Sequence, residues 1–444
     1  PRKSSPRWFL EGMAVFFETW MAGGYGRAQG YWDEMVFRAM VRDDAHFYDP
    51  LGLVSEGVRV DFQGQTNAYL YGTRFITWLA YNWSPEHVVD WAKRDDGSHR
   101  SYRKDFERVF GQPLDDAWQE WIAFEKEFQG ANLESVRTYP TTTYQALTPE
   151  ALGSVSRTYI DEETRTLIAG FQYPGVIAHI GAIPVDGGKA EQLQEIKGPA
   201  LYQVVSIAWD PESRTIFYTT DNYEYRDIIA LDRDTGKEEV LLKDARIGDL
   251  AFNRADKSLW GIRHLNGYAS LVRIPHPYTE WNLVKSFPYG TVPYDLDISR
   301  DGQFLSTSVG DIRGKHSLQV HAIEDVLLDD FEPEQEVNFG DTLPEGFTFS
   351  PDGKYLFGSS FYTGVSNLFR IDVETGEFEA VSNAETGFFR PVPIDNETLL
   401  AYTFTGQGFM PVKLTATPLE DVSNIRSLGA QTIAKHRVLE TWKA

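Results

Sequence analysis

The spacing of apolar residues changes once along this chain, near residue 145. Before that point they recur with a helical period, and beyond it they alternate as in strands. The stretch Trp8-Phe9-Leu10-Glu11-Gly12-Met13-Ala14-Val15-Phe16-Phe17-Glu18 is almost wholly apolar or aromatic and predicts a buried helix. Helical spacing returns over Tyr31 to Arg42, and again over Asn67 to Ala80 as a long buried helix. Shorter amphipathic helices are expected near 85–94, 101–110 and 114–128. Ser84-Pro85-Glu86 and Pro113-Leu114-Asp115-Asp116 serve as start signals. Residues 45 to 65 read as irregular. The glycine-rich run from Ala22 to Gly30 follows a helix and lacks the glycine spacing of a nucleotide loop, so it reads as a sharp turn.

Residues 1–130 thus form a helical region, 131–149 a linker broken by Pro140, and 150–444 a repetitive strand-rich region. Six anchors recur at intervals of about 43 to 51 residues, close to one four-stranded propeller blade. They begin at Ile160, Trp209, Asn253, Ser299, Ser350 and Ile394. In each, a strand ends in a turn of the Pro-Asp-Gly kind and a second strand starts. Proline presets φ, aspartate bonds back to the backbone, and glycine takes the left-handed position. Second turns follow at Asp232-Arg233-Asp234-Thr235-Gly236 and Asp372-Val373-Glu374-Thr375-Gly376. Ser350-Pro351-Asp352-Gly353-Lys354 matches the signature of TolB-like propellers. That resemblance covers about residues 150 to 415 and implies the fold, not an activity. Ile425 to Trp442 reads as a closing strand followed by a short helix, with closure of the ring inside this chain left open. The expected fold class is multidomain α plus all-β, with a roughly six-bladed propeller.

Composition narrows the function classes. The formal net charge is −23 and the pI about 4.8, without the basic footprint of a nucleic-acid binder. There are no cysteines, which excludes disulfides, thiolate metal sites and cysteine nucleophiles. No apolar run is long enough for a transmembrane helix. Aromatic residues make up 14%, an enrichment that strand-rich folds and peptide- or carbohydrate-facing clefts both produce. No Gly-x-Ser-x-Gly elbow supports a serine hydrolase. Tyr223, Tyr225, His264 and Tyr268 fall on loops that can line a binding funnel or pack at the blade tops.

Candidate chemistry lies in the first helix. Glu11 and Glu18 are seven residues apart, about two turns, and share one face of an otherwise apolar helix. Buried carboxylates need a partner, a hydrogen bond or a metal. Trp-x-x-Glu-Gly-x-Ala-x-x-x-Glu, as it stands at Trp8 to Glu18, resembles the second zinc-site helix of the gluzincin metallopeptidases. The resemblance implies that Glu11 is the third zinc ligand and that Glu18 orients a ligand histidine from outside the coordination sphere. Tyr69-Leu70-Tyr71-Gly72 resembles the downstream helix whose tyrosine stabilises the oxyanion. It assigns that role to Tyr69, with Tyr71 as fallback.

The chain departs from the pattern in lacking His-Glu-x-x-His. His316 and His321 are five apart in a strand-like region and do not replace it. In the family the missing helix lies upstream of Pro1. The helical region is therefore expected to be the C-terminal part of a zincin domain, and the chain a fragment of a zinc-dependent peptidase. Its propeller would screen or hold a peptide or protein substrate. Zinc belongs to the intact parent and is not expected in this fragment. The alternative is a non-catalytic cell-envelope propeller that docks a protein partner beside a degenerate zincin domain. Either reading places the protein in the periplasm, the envelope or the exterior of a bacterium. If the zincin arrangement is kept, Glu11 and Tyr69 share a cleft with tips roughly 4–8 Å apart. An uncovered apolar groove is also expected beside Phe9, Met13 and Phe16.

Overall fold

The computed structural model describes residues 5–55, 62–63, 66–173, 175–196, 206–221 and 225–442. The chain divides into two compact units. One combines Pro1–Thr138 with Ser423–Ala444, and the other is Tyr139–Val422.

The first unit is helical. In chain order it holds α1 (Arg7–Met21), α2 (Tyr31–Arg42), α3 (Pro50–Val54), α4 (Asn67–Asn82), α5 (Pro85–Ala92), α6 (Tyr102–Phe110) and α7 (Leu114–Val136). The short α3 falls in the stretch read as irregular, and α7 runs past its expected end near residue 128 into the stretch read as a linker. The core is built from aromatic rings, which accounts for much of the aromatic enrichment. Trp8 meets Trp118 edge-on at 4.9 Å, Phe9 meets Trp91 at 4.5 Å, and Phe75 meets Trp118 at 4.5 Å. Phe16 packs on Trp20 and Trp442.

This packing corrects one expectation. Phe9, Met13 and Phe16 are buried, so no groove opens beside them. Helices α4 to α6 and the C-terminal segment supply the rings that cover this face. The open face of α1 carries Leu10, Ala14 and Met21 instead.

A buried charge network ties the unit together. Arg74 of α4 reaches both oxygens of Glu34 in α2 (2.5 and 2.8 Å) and both of Glu125 in α7 (2.8 and 2.8 Å). Gln129 donates to both glutamates. All four side chains are buried.

The second unit is a six-bladed propeller. It starts with the short β1 (Tyr144–Ala146). Blade one is β2 (Ser154–Asp161), β3 (Thr166–Gln172), β4 (His179–Pro184) and β5 (Glu191–Glu195). Blade two is β6 (Ile207–Asp210), β7 (Thr215–Asp221), β8 (Arg226–Asp232) and β9 (Glu238–Leu242). Blade three is β10 (Ile247–Asn253), β11 (Ser258–Leu265), β12 (Tyr268–Ile274) and β13 (Asn282–Ser286). Blade four is β14 (Val292–Ile298), β15 (Phe304–Gly310), β16 (His316–Ala322) and β17 (Gln335–Asn338), with the single-turn α8 (Ile323–Leu327) before β17. Blade five is β18 (Glu345–Phe349), β19 (Tyr355–Ser360), β20 (Asn367–Asp372) and β21 (Phe378–Ala380). Blade six is β22 (Phe388–Pro393), β23 (Thr398–Thr405) and β24 (Gly408–Thr415), completed on its outer edge by β1.

The first strands of neighbouring blades pack in the cycle β2, β6, β10, β14, β18, β22 and back to β2, so the ring closes. The closing strand is β1, inside the stretch read as a linker, and not a strand after residue 425. Three exposed residues carry no readable alternation, and backbone pairing of Tyr144 to Ala146 with Leu414 to Val412 makes them a strand. Residues 423–444, grouped with the propeller by their position in the sequence, form α9 (Leu428–Lys435) and a 3-10 turn (Arg437–Thr441) in the helical unit.

The anchor turns follow their chemistry. Asp161, Asp210, Asn253 and Asp395 each accept a backbone N–H two residues on. Gly302 and Gly353 take the left-handed position. Where glycine is absent, Arg165, Arg214 and Lys257 adopt the same conformation, at φ 52, 55 and 57°.

Replacing Arg74 with Met leaves two buried carboxylates facing each other. The helical unit should lose about 3–5 kcal/mol in urea unfolding followed by tryptophan fluorescence. A loss below about 1 kcal/mol would show the network to be dispensable.

Candidate functional site

In the helical unit, the sites inferred from sequence meet where α1 crosses α4. The crossing is set by two glycines. A Cβ on Gly72 would lie 3.0 Å from the Gly12 Cα and closer still to the Trp8 carbonyl oxygen. A Cβ on Gly12 would run into the Gly72 backbone. Only glycine at both positions permits this approach. Glu11 neighbours Gly12, and Tyr69 lies one turn before Gly72, so the contact carries both towards one side.

Arg7 joins them. Its guanidinium lies 5.5 Å over the Tyr69 ring, and its Nε is 3.5 Å from Glu11 Oε1. The hydrogen bond to the Tyr69 hydroxyl is the largest cause of its raised pKa. Burial opposes the shift and Glu11 adds to it. Glu11 and Tyr69 are both half-buried, and Arg7 is exposed. Glu18 is exposed two turns further along α1. The fallback, Tyr71, is a core residue. Its ring lies parallel to that of Trp118 at 6.4 Å, and its hydroxyl accepts from the Tyr48 N–H at 3.4 Å.

A catalytic zinc takes three protein ligands and an open position. Among the described residues, no group of three or more His, Asp or Glu side chains could hold a metal. The described residues therefore do not complete a zinc site around Glu11. Arg7 was not singled out in the sequence, where an arginine before a tryptophan carries no signal of its own.

In the propeller, a second polar cluster lies in the central channel. Five of the six innermost strands share a register break, at Val155/Thr158, Gly248/Ala251, Tyr294/Asp297, Glu345/Thr348 and Phe389/Val392. Asp249, Asp295, Gly346 and Arg390 sit at these bulges with φ of 47, 53, 62 and 50°. Bulges re-aim side chains, and here they stitch blade to blade. Asp249 Oδ1 accepts from the Asp295 N–H at 3.4 Å, and Asp295 Oδ2 from Gly346 at 2.8 Å. Asp297 takes Arg157 on one oxygen (2.6 Å) and the Phe349 N–H on the other (2.8 Å). A small cavity lies between Arg157, Asp295, Gly346 and Arg390.

Four carboxyls thus share this region with Arg157, Arg226, Arg254 and Arg390, whose charges act on them. Burial, with the neighbouring Asp295 charge second, pushes Asp249 up to about 6 and Glu345 up to about 7. Burial also raises Asp297, and Arg157 opposes it. The sequence held a usable signal. Counting four residues back from the first turn residue, at 161, 210, 253, 299 and 350, gives Arg157, Ser206, Asp249, Asp295 and Gly346, and Arg390 lies five before Asp395 in blade six.

Of the loop residues read as a funnel, Tyr223 lies outside the described residues. Tyr225 is stacked under Arg246, with 3.4 Å from Cζ to the ring centre. Tyr268 packs edge-on against Tyr289 at 5.9 Å. His264 is exposed at its residue surface, and burial of its ring with the nearby Arg226 charge lowers its pKa.

A family model described as "Lactonase, 7-bladed beta-propeller" matches residues 283–388, from β13 to the first residue of β22. No curated protein matches the sequence. Among solved structures, TolB from Acinetobacter baumannii is similar at 14% identity and a TM-score of 0.39, covering 71% of this chain and 73% of its own. A gluconolactonase from Xanthomonas campestris is similar at 17% identity and 0.44, covering 62% and 94%. An oligogalacturonate lyase from Vibrio parahaemolyticus is similar at 10% identity and 0.42, covering 63% and 98%. At these values none bears on activity. The six-bladed ring rests on the strand order described above.

A carboxyl whose pKa is raised by folding favours the native state at low pH, and that contribution is lost as pH climbs through the folded value. Glu345→Gln should therefore stabilise the propeller at pH 8 by roughly 1–3 kcal/mol and leave it nearly unchanged at pH 5. Urea unfolding at the two pH values measures both. Equal effects at both would show that Glu345 does not titrate in this range.

Proposed function

We propose that the chain is the substrate-holding part of a zinc-dependent peptidase of the gluzincin kind, with the propeller as its substrate-binding module. The observation that carries this reading is the Gly12–Gly72 contact, with Arg7 touching both Glu11 and Tyr69. Glu11 is the carboxylate donor to the metal. A phenol at Tyr69 donates a hydrogen bond to an oxyanion while remaining neutral. Glu18 orients a group packed against the open face of α1. A metal at this site would activate water and polarise the scissile carbonyl. The remaining ligands and the general base must come from residues other than those described. An envelope or secreted location accompanies this reading.

Two measurements test it. The chain as it stands, dialysed against zinc and then washed with a chelator, should retain well under one zinc and should not hydrolyse casein. Stoichiometric retention would overturn the assignment of Glu11 as an isolated donor. In a longer product of the same coding sequence that supplies His-Glu-x-x-His, Glu11→Ala should abolish zinc binding. There Tyr69→Phe should keep zinc and lower kcat by about 10²–10³. A longer product without that motif, or full activity in Tyr69→Phe, would reject the peptidase reading.

A further inference from the structure

In four-stranded antiparallel blades, the connections alternate between the two faces of the ring. The anchor turns leave on one face, and the second-to-third strand connections leave on the other. Around the anchor turns, side chains tie each blade to its neighbour. Arg214 of blade two holds Asp161 (2.9 Å) and Glu163 (3.0 Å) of blade one. Lys257 of blade three holds Glu212 of blade two, and Asn396 of blade six donates to Asp352 of blade five at 2.7 Å.

Two ion pairs reach further. Arg157 of β2 holds Asp297 of β14 at 2.6 Å. Arg300, in the anchor turn after β14, holds Glu162, in the anchor turn after β2, also at 2.6 Å. In the cycle β2, β6, β10, β14, β18, β22, the strands β2 and β14 stand three steps apart in either direction. Blades one and four therefore face each other across the axis, and both pairs span the channel. Arginine has the reach for this, and its planar fork fixes the carboxylate it meets.

The two pairs lie at different depths. Arg157 and Asp297 sit within their strands, with side chains 16 and 14% exposed. Glu162 and Arg300 come later in the chain, at the anchor-face mouth, and are 60 and 39% exposed. The cation comes from blade one in the inner pair and from blade four in the outer pair. Asp297 is held in place by the Phe349 N–H on its other oxygen. Burial works against the charge on Arg157, while Tyr159, Asp297, Asp295 and Asp249 favour it. Arg254, in the anchor turn of blade three, stands beside both pairs. Burial and the Arg300 charge lower its pKa, and Glu162, Asp297 and Asp210 oppose them. Asp249, Asp295, Glu345 and the small cavity beside Arg157 lie on the other side of the inner pair from the anchor turns.

We propose that the two cross-ring ion pairs form a gate: closed, they shut the channel at its anchor-face end, so that a ligand enters only from the opposite face, and parted, they open a passage through the ring. Parting exchanges each charge's partner for water and leaves the apolar cores of the blades packed, so opening is a local event. The gate goes beyond the peptidase reading and does not rest on it.

The sequence has no cysteine, so one introduced thiol reports on access. In the full chain at pH 8, Thr348→Cys replaces a buried side chain that lines the cavity with Arg157. The readout is its rate of reaction with a small methanethiosulfonate reagent. Arg157→Gln with Asp297→Asn removes the inner pair and keeps an acceptor for Phe349. Glu162→Ala with Arg300→Ala removes the outer pair. All four changes together should speed labelling about tenfold or more, and either pair removed alone should give a smaller rise. Arg214→Gln cuts a tie between neighbouring blades instead, and should leave the rate within about twofold. No rise in the four-site variant with its native tryptophan emission kept, or an equal rise in Arg214→Gln, would overturn the gate. Where the four-site variant does not fold, a second measurement decides. Glu162→Cys with Arg300→Cys, without the change at Thr348, alters only the exposed mouth. A short bismaleimide should link the two positions within one chain, seen as a joined pair of peptides by mass spectrometry. Separate attachment at both thiols with no link would overturn the proposal.

Discussion

The helical unit depends on how closely two backbones can approach. Gly12 and Gly72 let α1 and α4 meet with almost no side chain between them, and the rest of the arrangement follows. Trp8 and Phe9 are drawn into the ring cluster around Trp91, Trp118 and Phe75. Glu11 and Tyr69 are left on one side, within reach of a single arginine. A methyl group at either glycine would force the helices apart and move both polar groups with them. Position on a helix alone would not have brought a glutamate and a tyrosine from different helices together.

The propeller obeys a different constraint. Six innermost strands converge on one axis, and in five of them a bulge or irregularity interrupts the ladder. The bulges turn polar groups inward, and backbone N–H groups of the next blade satisfy part of them. The cost is a set of carboxyls taken out of water, of which Asp249 and Glu345 are held above the usual carboxylate range by burial.

Much of this was legible in the sequence. Alternation, repeat length and turn residues identified six blades because each anchor has a local job that its own residues perform. Helix positions were readable for the same reason. The closing strand was not, since Tyr144 to Ala146 become a strand only by pairing with residues about 270 positions away. The groove expected beside Phe9, Met13 and Phe16 was misplaced because periodicity tells which face is apolar, not which element covers it. Trp442 helps cover that face from the far end of the chain. Arg7 and the channel residues escaped notice because isolated charges look alike until the fold brings them together. Part of the channel set, Arg157, Asp249 and Asp295, was recoverable by comparing the same position across repeats.

The order in which the chain is made adds a further consequence. The helical unit is assembled from both ends, with the propeller inserted between them. Its buried Glu34 accepts from the Leu428 N–H, a bond spanning 394 residues of sequence. At about 5–20 residues per second, that partner leaves the ribosome roughly 20–80 s after Glu34 does. The propeller, whose strands all lie between residues 144 and 415, has every blade available before then. The later-synthesised unit is therefore the first that can be complete, and the earlier one must wait, its charged interior open to water, until Leu428 and its neighbours in α9 arrive.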